Sequence, residues 1–74
     1  MVLTIRDRIM TSKTGQTFKK ARLNMHLTQA QLAKKADINA NTYAKIERGE
    51  QTPSFLTAKK LAKALHLNLS DIPD

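Results

Sequence analysis

Cysteine is absent from this chain, and with it go disulfides, thiolate nucleophiles and thiolate metal sites. A reducing cytosol suits such a composition. Glycine occurs only twice, so no glycine-rich loop is available to cradle a phosphate. The six carboxylates are scattered, and neither histidine has a histidine or cysteine at ligand spacing. With no nucleophile and base pair in view, the expectation is a protein that is not an enzyme and that carries no cofactor and no metal. No apolar run is long enough to span a membrane, and the opening residues, MVLTIRDRIM, have neither the apolar core nor the cleavage site of a secretory signal. We expect a soluble, cytoplasmic protein with no membrane partner.

What remains is short and basic. A chain of 74 residues has room for one domain with one small core. Chains of this size bury only about 60% of the surface their unfolded form exposes, so a partner subunit or ligand can matter to stability. The net charge of +7 is unevenly spread: residues 1–27 hold six basic and one acidic side chain, residues 28–49 four and two, and residues 50–74 three and three. Basic density in the first two helices and the arm before them fits neutralisation of phosphates there, while the neutral end is freer to pack or pair. Charge alone serves solubility equally well, and it is the helix pattern that tips the reading toward nucleic acid.

Residues 28–49, TQAQLAKKADINANTYAKIERG, read as two short helices joined by a tight turn. Thr28 is placed to cap the first of them, and Leu32, Ala33 and Ala36 form an inward stripe at helical spacing. Ala33 matters because helices crossing steeply through a short turn approach so closely that only a small side chain fits between them. Ile38, Tyr43 and Ile46 supply the buried side of the second helix, and Gly49 stops it in the left-handed conformation that glycine adopts at little cost. Its outward face is then Asn39, Ala40, Asn41, Thr42, Lys45 and Arg48, short polar or basic groups suited to base edges and phosphates.

Around this pair the apolar spacing predicts a helix from Gly15 or Gln16 to Met25, with Phe18, Ala21 and Met25 inward. The pair itself spans Gln29 to Ala36 and Ala40 to Arg48. A fourth helix begins near Pro53 to Phe55 and carries Phe55, Ala58, Leu61, Ala62 and Leu65 on one side. A last short helix follows Ser70, with Leu67, Leu69 and Ile72 closing the core. The fold class is all-α.

Thr28, Gln29, Leu32, Ala33, Ile38, Asn39, Ile46, Glu47, Arg48 and Gly49, followed by Pro53, Ser54, Phe55, Thr57 and LAKAL over 61–65, resemble the Cro and phage-repressor helix-turn-helix family, also called XRE-like. The likeness runs from Phe18 to Ile72 without a gap. It implies a compact, lambda-repressor-like bundle of four to five short helices in which helices 2 and 3 form the helix-turn-helix. It also implies a sequence-specific regulator, a repressor that binds a double-stranded DNA operator, as a homodimer, and reads the major groove with helix 3. The alternative is an antitoxin or transcriptional adaptor acting through a toxin or other protein partner. The end of helix 4, the segment 67–72 and Leu56 are the candidate dimer surface, although those leucines serve a core equally well.

The resemblance implies roles residue by residue. In this docking the N-terminal end of the recognition helix enters the major groove. Asn41 is the first candidate for a base, since an asparagine pairs in bidentate fashion with adenine N6 and N7. Lys45 has guanine, a phosphate or plain solvent as its partner. Ala40 can press its methyl on a thymine methyl, and Thr42 can reach backbone or base. Asn39 is the natural cap of helix 3 and so is less free to reach a base. The glutamine matching Gln29 bonds a phosphate in the family, helped by the positive helix end. Arg48 can add phosphate charge, as can Lys13, Lys19 and Lys34, with a solvated face as the default. Thr28, Ala33 and Gly49 are structural, and the resemblance implies that Arg22 meets Glu47 and holds the recognition helix at its angle. Where relatives commonly carry glycine at helix ends, this chain has His26, Asp37 and His66, residue types that tolerate positive φ. Both histidines thereby gain a structural role.

Residues 1–13 are assigned to an N-terminal arm and 14–74 to the helix-turn-helix domain. Val2, Ile5 and Ile9 fit a helical stripe, but residues 2–5 fit a short strand equally. Arg6, Arg8 and Lys13 suit a basic arm around the duplex; a loosely docked terminus is the other reading.

Overall fold

Capping chemistry draws the helix boundaries. The computed structural model describes residues 13–72, and the expectations placed on residues 1–12 lie outside them. Four helices, α1 (Lys13–Asn24), α2 (Gln29–Ala36), α3 (Ala40–Arg48) and α4 (Phe55–Leu65), are followed by a 3₁₀ turn over Leu69–Asp71. At the start of α2, Thr28 Oγ1 accepts the Gln31 N–H at 3.0 Å while Gln31 Oε1 accepts the Thr28 N–H at 2.8 Å, a reciprocal capping box. Asn39 Oδ1 caps α3 by accepting the N–H groups of Asn41 and Thr42 at 2.8 and 3.1 Å. Ser54 Oγ caps α4 by accepting the Thr57 N–H at 3.1 Å.

The four helices end alike. His26, Asp37, Gly49 and His66 adopt φ of 58°, 60°, 81° and 60°, which turns the chain out of each helix. The next residue then donates its N–H back to the last full turn: Leu27 to Arg22 O, Ile38 to Ala33 O, Glu50 to Lys45 O and Leu67 to Ala62 O. Leu27, Ile38 and Leu67 use that position to pack against the core. The core itself is Phe18, Leu32, Ala33, Ala36, Tyr43, Ile46, Leu61, Ala64 and Leu65, drawn from all four helices. α1 packs on α3 and α4, and α2 packs on the same two. No strand occurs among the described residues, and the fold is an all-α bundle.

Some expectations are corrected. α1 starts at Lys13 rather than Gly15 or Gln16 and stops at Asn24, with Met25 already in the turn. α4 begins at Phe55, within the expected range, and only the placing of Pro53 in its first turn is corrected, because the Ser54 hydroxyl accepts the N–H of Thr57 and so takes the cap. Phe55, expected inward, is 72% exposed. It shares the stripe of Ala58 and Leu61 but sits in the first turn of α4, beyond the end of the core. Leu69, expected to close the core, is 38% exposed. The last turn begins at Leu69, one residue before Ser70, and is 3₁₀ in form.

Candidate nucleic-acid interface

The capping box at Thr28 and the left-handed Asp37 fix α2 and the turn that leads to α3. α3 then buries Tyr43, Ile46 and Glu47 and turns Asn41, Lys45 and Arg48 to solvent. These three are spaced by four and three residues, so they line one edge of the helix. Ala40 is exposed at its first position, and Thr42 is half-buried at the flank. Asn39 Oδ1 is committed to two backbone N–H groups. Gly49 closes the far end, and Ala33, 1% exposed, lies where α2 and α3 meet.

Glu47 is the hub that holds this helix. Its carboxylate accepts from Arg22 Nε at 2.6 Å and Arg22 Nη2 at 3.2 Å, both on α1, and from Gln29 Nε2 at 2.9 Å on α2. The Tyr43 hydroxyl, one turn back on α3, donates to the same group. Arg22 Nη1 is satisfied by Leu27 O at 2.8 Å. Burial pushes the Glu47 carboxyl up, but the donors Arg22, Tyr43 and Gln29, with the guanidinium charge, prevail and hold it below the usual carboxylate range. The hydrogen bond to Glu47 raises Arg22, and burial together with the neighbouring carboxylate raises Tyr43. Glu47 is therefore ionised, Arg22 charged and Tyr43 neutral at ordinary pH. One carboxylate thus ties together α1, the first residue of α2 and α3.

Three features of the site go beyond the roles expected from the sequence. Gln29 donates to Glu47 as well as standing at the N-terminus of α2, and its amide keeps a second N–H and its carbonyl oxygen for another partner. Tyr43 was expected as core and is also a donor; its four-residue spacing from Glu47 was the available signal. Gly15 is buried where α1 crosses the end of α3. A Cβ there would lie 2.4 Å from Ile46 O and 2.7 Å from Glu47 O. Its signal was a glycine inside a helical pattern, where a close packing contact is the usual reason.

Exposed Arg48 forks onto Glu50, with Nε to Oε2 at 2.8 Å and Nη2 to Oε1 at 3.1 Å. Lys13, Lys19 and Lys34 are also exposed. No helix among the described residues is long and apolar enough to cross a membrane.

A family model for helix-turn-helix proteins matches residues 18–72. The chain belongs to the helix-turn-helix family. Its branch is the Cro and phage-repressor, or XRE-like, type. This helix-turn-helix chain is 41% identical over 58 residues to an immunity repressor protein of Bacillus phage phi105, covering 78% of this chain and 40% of that protein. It thus spans about two fifths of the length of that curated relative. Among solved structures it is similar to the restriction-modification controller protein C.AhdI from Aeromonas hydrophila, with a TM-score of 0.77 and 29% identity, over 80% of this chain and 89% of that one. It is also similar to a tyrosine-to-phenylalanine mutant of the restriction-modification controller protein C.Esp1396I. There the TM-score is 0.73 and the identity 27%, over 80% of this chain and 75% of that one.

Proposed function

We propose that this helix-turn-helix protein is a sequence-specific double-stranded DNA-binding transcriptional regulator, a cytoplasmic repressor that reads the major groove with α3. The observation that carries the reading is the exposed edge of α3, where Asn41, Lys45 and Arg48 line up on a helix whose opposite side is clamped by Glu47. A recognition helix needs both. Its reading edge must be open, and its angle must be fixed before DNA arrives, so that little ordering cost falls on binding.

In this reading Asn41 pairs with an adenine edge, which discriminates by about 1–3 kcal/mol for a good bidentate contact. Ala40 and Thr42 flank it at the groove, Lys45 takes guanine or phosphate, and Arg48 takes a phosphate. The remaining polar atoms of Gln29, together with the N-terminal N–H groups of α2, hold a phosphate. Asn39 serves α3 as its cap. A second copy of the chain reads a second half-site about 34–36 Å away.

The test is selection of bound sequences from random duplex DNA, followed by salt titration of the recovered site. A defined motif, with log affinity falling steeply against log salt, is the expected result. Asn41→Ala then relaxes preference at one base position, whereas Gln29→Ala weakens all sequences alike. If no motif is enriched across moderate salt, the protein acts through a protein partner instead.

A further inference from the structure

The ends of the four helices are built alike except in one side chain. Leu27, Ile38 and Leu67 follow the left-handed residues of α1, α2 and α4 and pack on the core. After α3 the same place is held by Glu50, whose N–H donates to Lys45 O at 2.9 Å as the pattern requires. Core packing therefore gives no account of a glutamate here.

The Glu50 side chain instead turns back along α3 to Arg48, at 2.8 and 3.1 Å. This is a two-pronged contact, the geometry in which a guanidinium also takes two oxygens of a phosphate. The side chains are 51% and 42% exposed, so the pair holds nothing in place inside the fold. The Arg48 hydrogen bonds, with the nearby charge of Lys45, keep the Glu50 carboxyl below its usual range. Glu50 is thus a carboxylate beside two of the three residues on the exposed edge of α3.

We propose that the Glu50 carboxylate occupies on Arg48 the place that a DNA phosphate takes, so that docking exchanges one for the other. The inference rests on the DNA-binding reading above and gives that site an internal competitor. A phosphate contact carries no base information. Glu50 therefore lowers affinity for every sequence alike, and leaves a larger share of the binding preference to base contacts such as that of Asn41.

The full chain is compared as wild type, Glu50→Gln, Arg48→Gln and the double variant. Each is titrated with a mixed-sequence duplex and with the selected site at several salt concentrations. Glu50→Gln is expected to bind both duplexes about three- to tenfold tighter at low salt, a gain that shrinks as added salt screens the exposed Arg48–Glu50 pair. In the Arg48→Gln background most of that gain disappears. An equal gain in both backgrounds overturns the proposal, because Glu50 would then act as bulk charge. Wild-type binding that Glu50→Gln leaves untouched overturns it as well. Absence of wild-type binding at every salt concentration is a separate outcome: it overturns the DNA reading itself, and this inference with it.

Discussion

Arg22 and Glu47 join α1 to α3 through hydrogen bonds of 2.6 and 3.2 Å, each residue only 8% exposed. Gln29 and Tyr43 use the same carboxylate, so its loss strands three donors at once. Glu47→Ala should destabilise the fold by about 3–5 kcal/mol, the range for leaving one member of a buried pair without its partner. Urea denaturation measures the loss. The fraction that remains folded should keep its base preference; unchanged stability with a relaxed preference would place Glu47 at the bases instead.

The same carboxylate makes stability depend on acid. Glu47 sits below the usual carboxylate range when folded, so the unfolded chain binds its proton more readily. Its contribution is complete above the unfolded value of about 4.3 and is lost as pH falls through the lower folded value. Unfolding free energy measured from pH 6 downward should therefore fall more steeply in wild type than in Glu47→Gln, which has no proton to take up there. Parallel curves for the two proteins would show that other carboxylates carry the acid sensitivity.

Gly15 supplies a test in which two effects have opposite signs. Alanine in a helix interior is favoured over glycine by about 0.8–1.0 kcal/mol, so propensity alone makes Gly15→Ala stabilising. The added Cβ, however, would stand 2.4 Å from Ile46 O and 2.7 Å from Glu47 O, and both are backbone atoms that no rotamer change can move aside. Overpacking of this kind costs about 1–3 kcal/mol, and here it should win. We expect a net loss of stability in thermal unfolding, and weaker DNA binding as α3 is pushed from α1. A stabilised variant would mean that the helices separate at no cost.

How much of this was legible in the sequence depends on the range of each signal. α2 and α3 run as expected, over Gln29–Ala36 and Ala40–Arg48, because their caps are local: Thr28 and Asn39 bond to N–H groups two or three residues away. His26, Asp37 and His66 stand at positive φ where glycines are usual in the family. Phe55 was misjudged for a physical reason. Helical spacing tells which side of α4 faces inward, but not how far along its axis the core extends. The Gln29–Glu47 bond spans eighteen residues, and the approach of Gly15 to Ile46 O depends on how two helices cross. Neither leaves a periodic trace. Glu50 is marked only by comparison with Leu27, Ile38 and Leu67, once all four helix ends are seen to share one hydrogen-bond pattern.

The left-handed ends predict a stabilising substitution. His66 is exposed at φ 60°, a conformation that costs a residue with a Cβ about 1–2 kcal/mol and glycine almost nothing. Glycine gives back part of that gain through the greater freedom of the unfolded chain. His66→Gly should therefore raise unfolding free energy by about 0.5–1 kcal/mol, and His66→Val should lower it. Urea midpoints at neutral pH decide between them, and a glycine variant less stable than wild type would show that the imidazole makes a contact worth more than the backbone cost.

Phe55 offers a test of the proposed pairing of two copies. Phe55, Leu56 and Leu69 are exposed, and Phe55 and Leu69 wall a groove of about 260 Å³ with Pro53, Ala58 and Ile72. If this is the surface that pairs with a second copy, a charge placed on it must be desolvated at the interface while costing the isolated fold little. Phe55→Glu should leave monomer stability within about 0.5 kcal/mol, as for a surface change away from the core. Sedimentation should shift from dimer to monomer, and affinity should fall for a two-half-site operator but barely for a single half-site. A variant that still sediments as a dimer moves the interface elsewhere on the protein, and a wild type that is itself monomeric on the full operator removes the two-fold reading altogether.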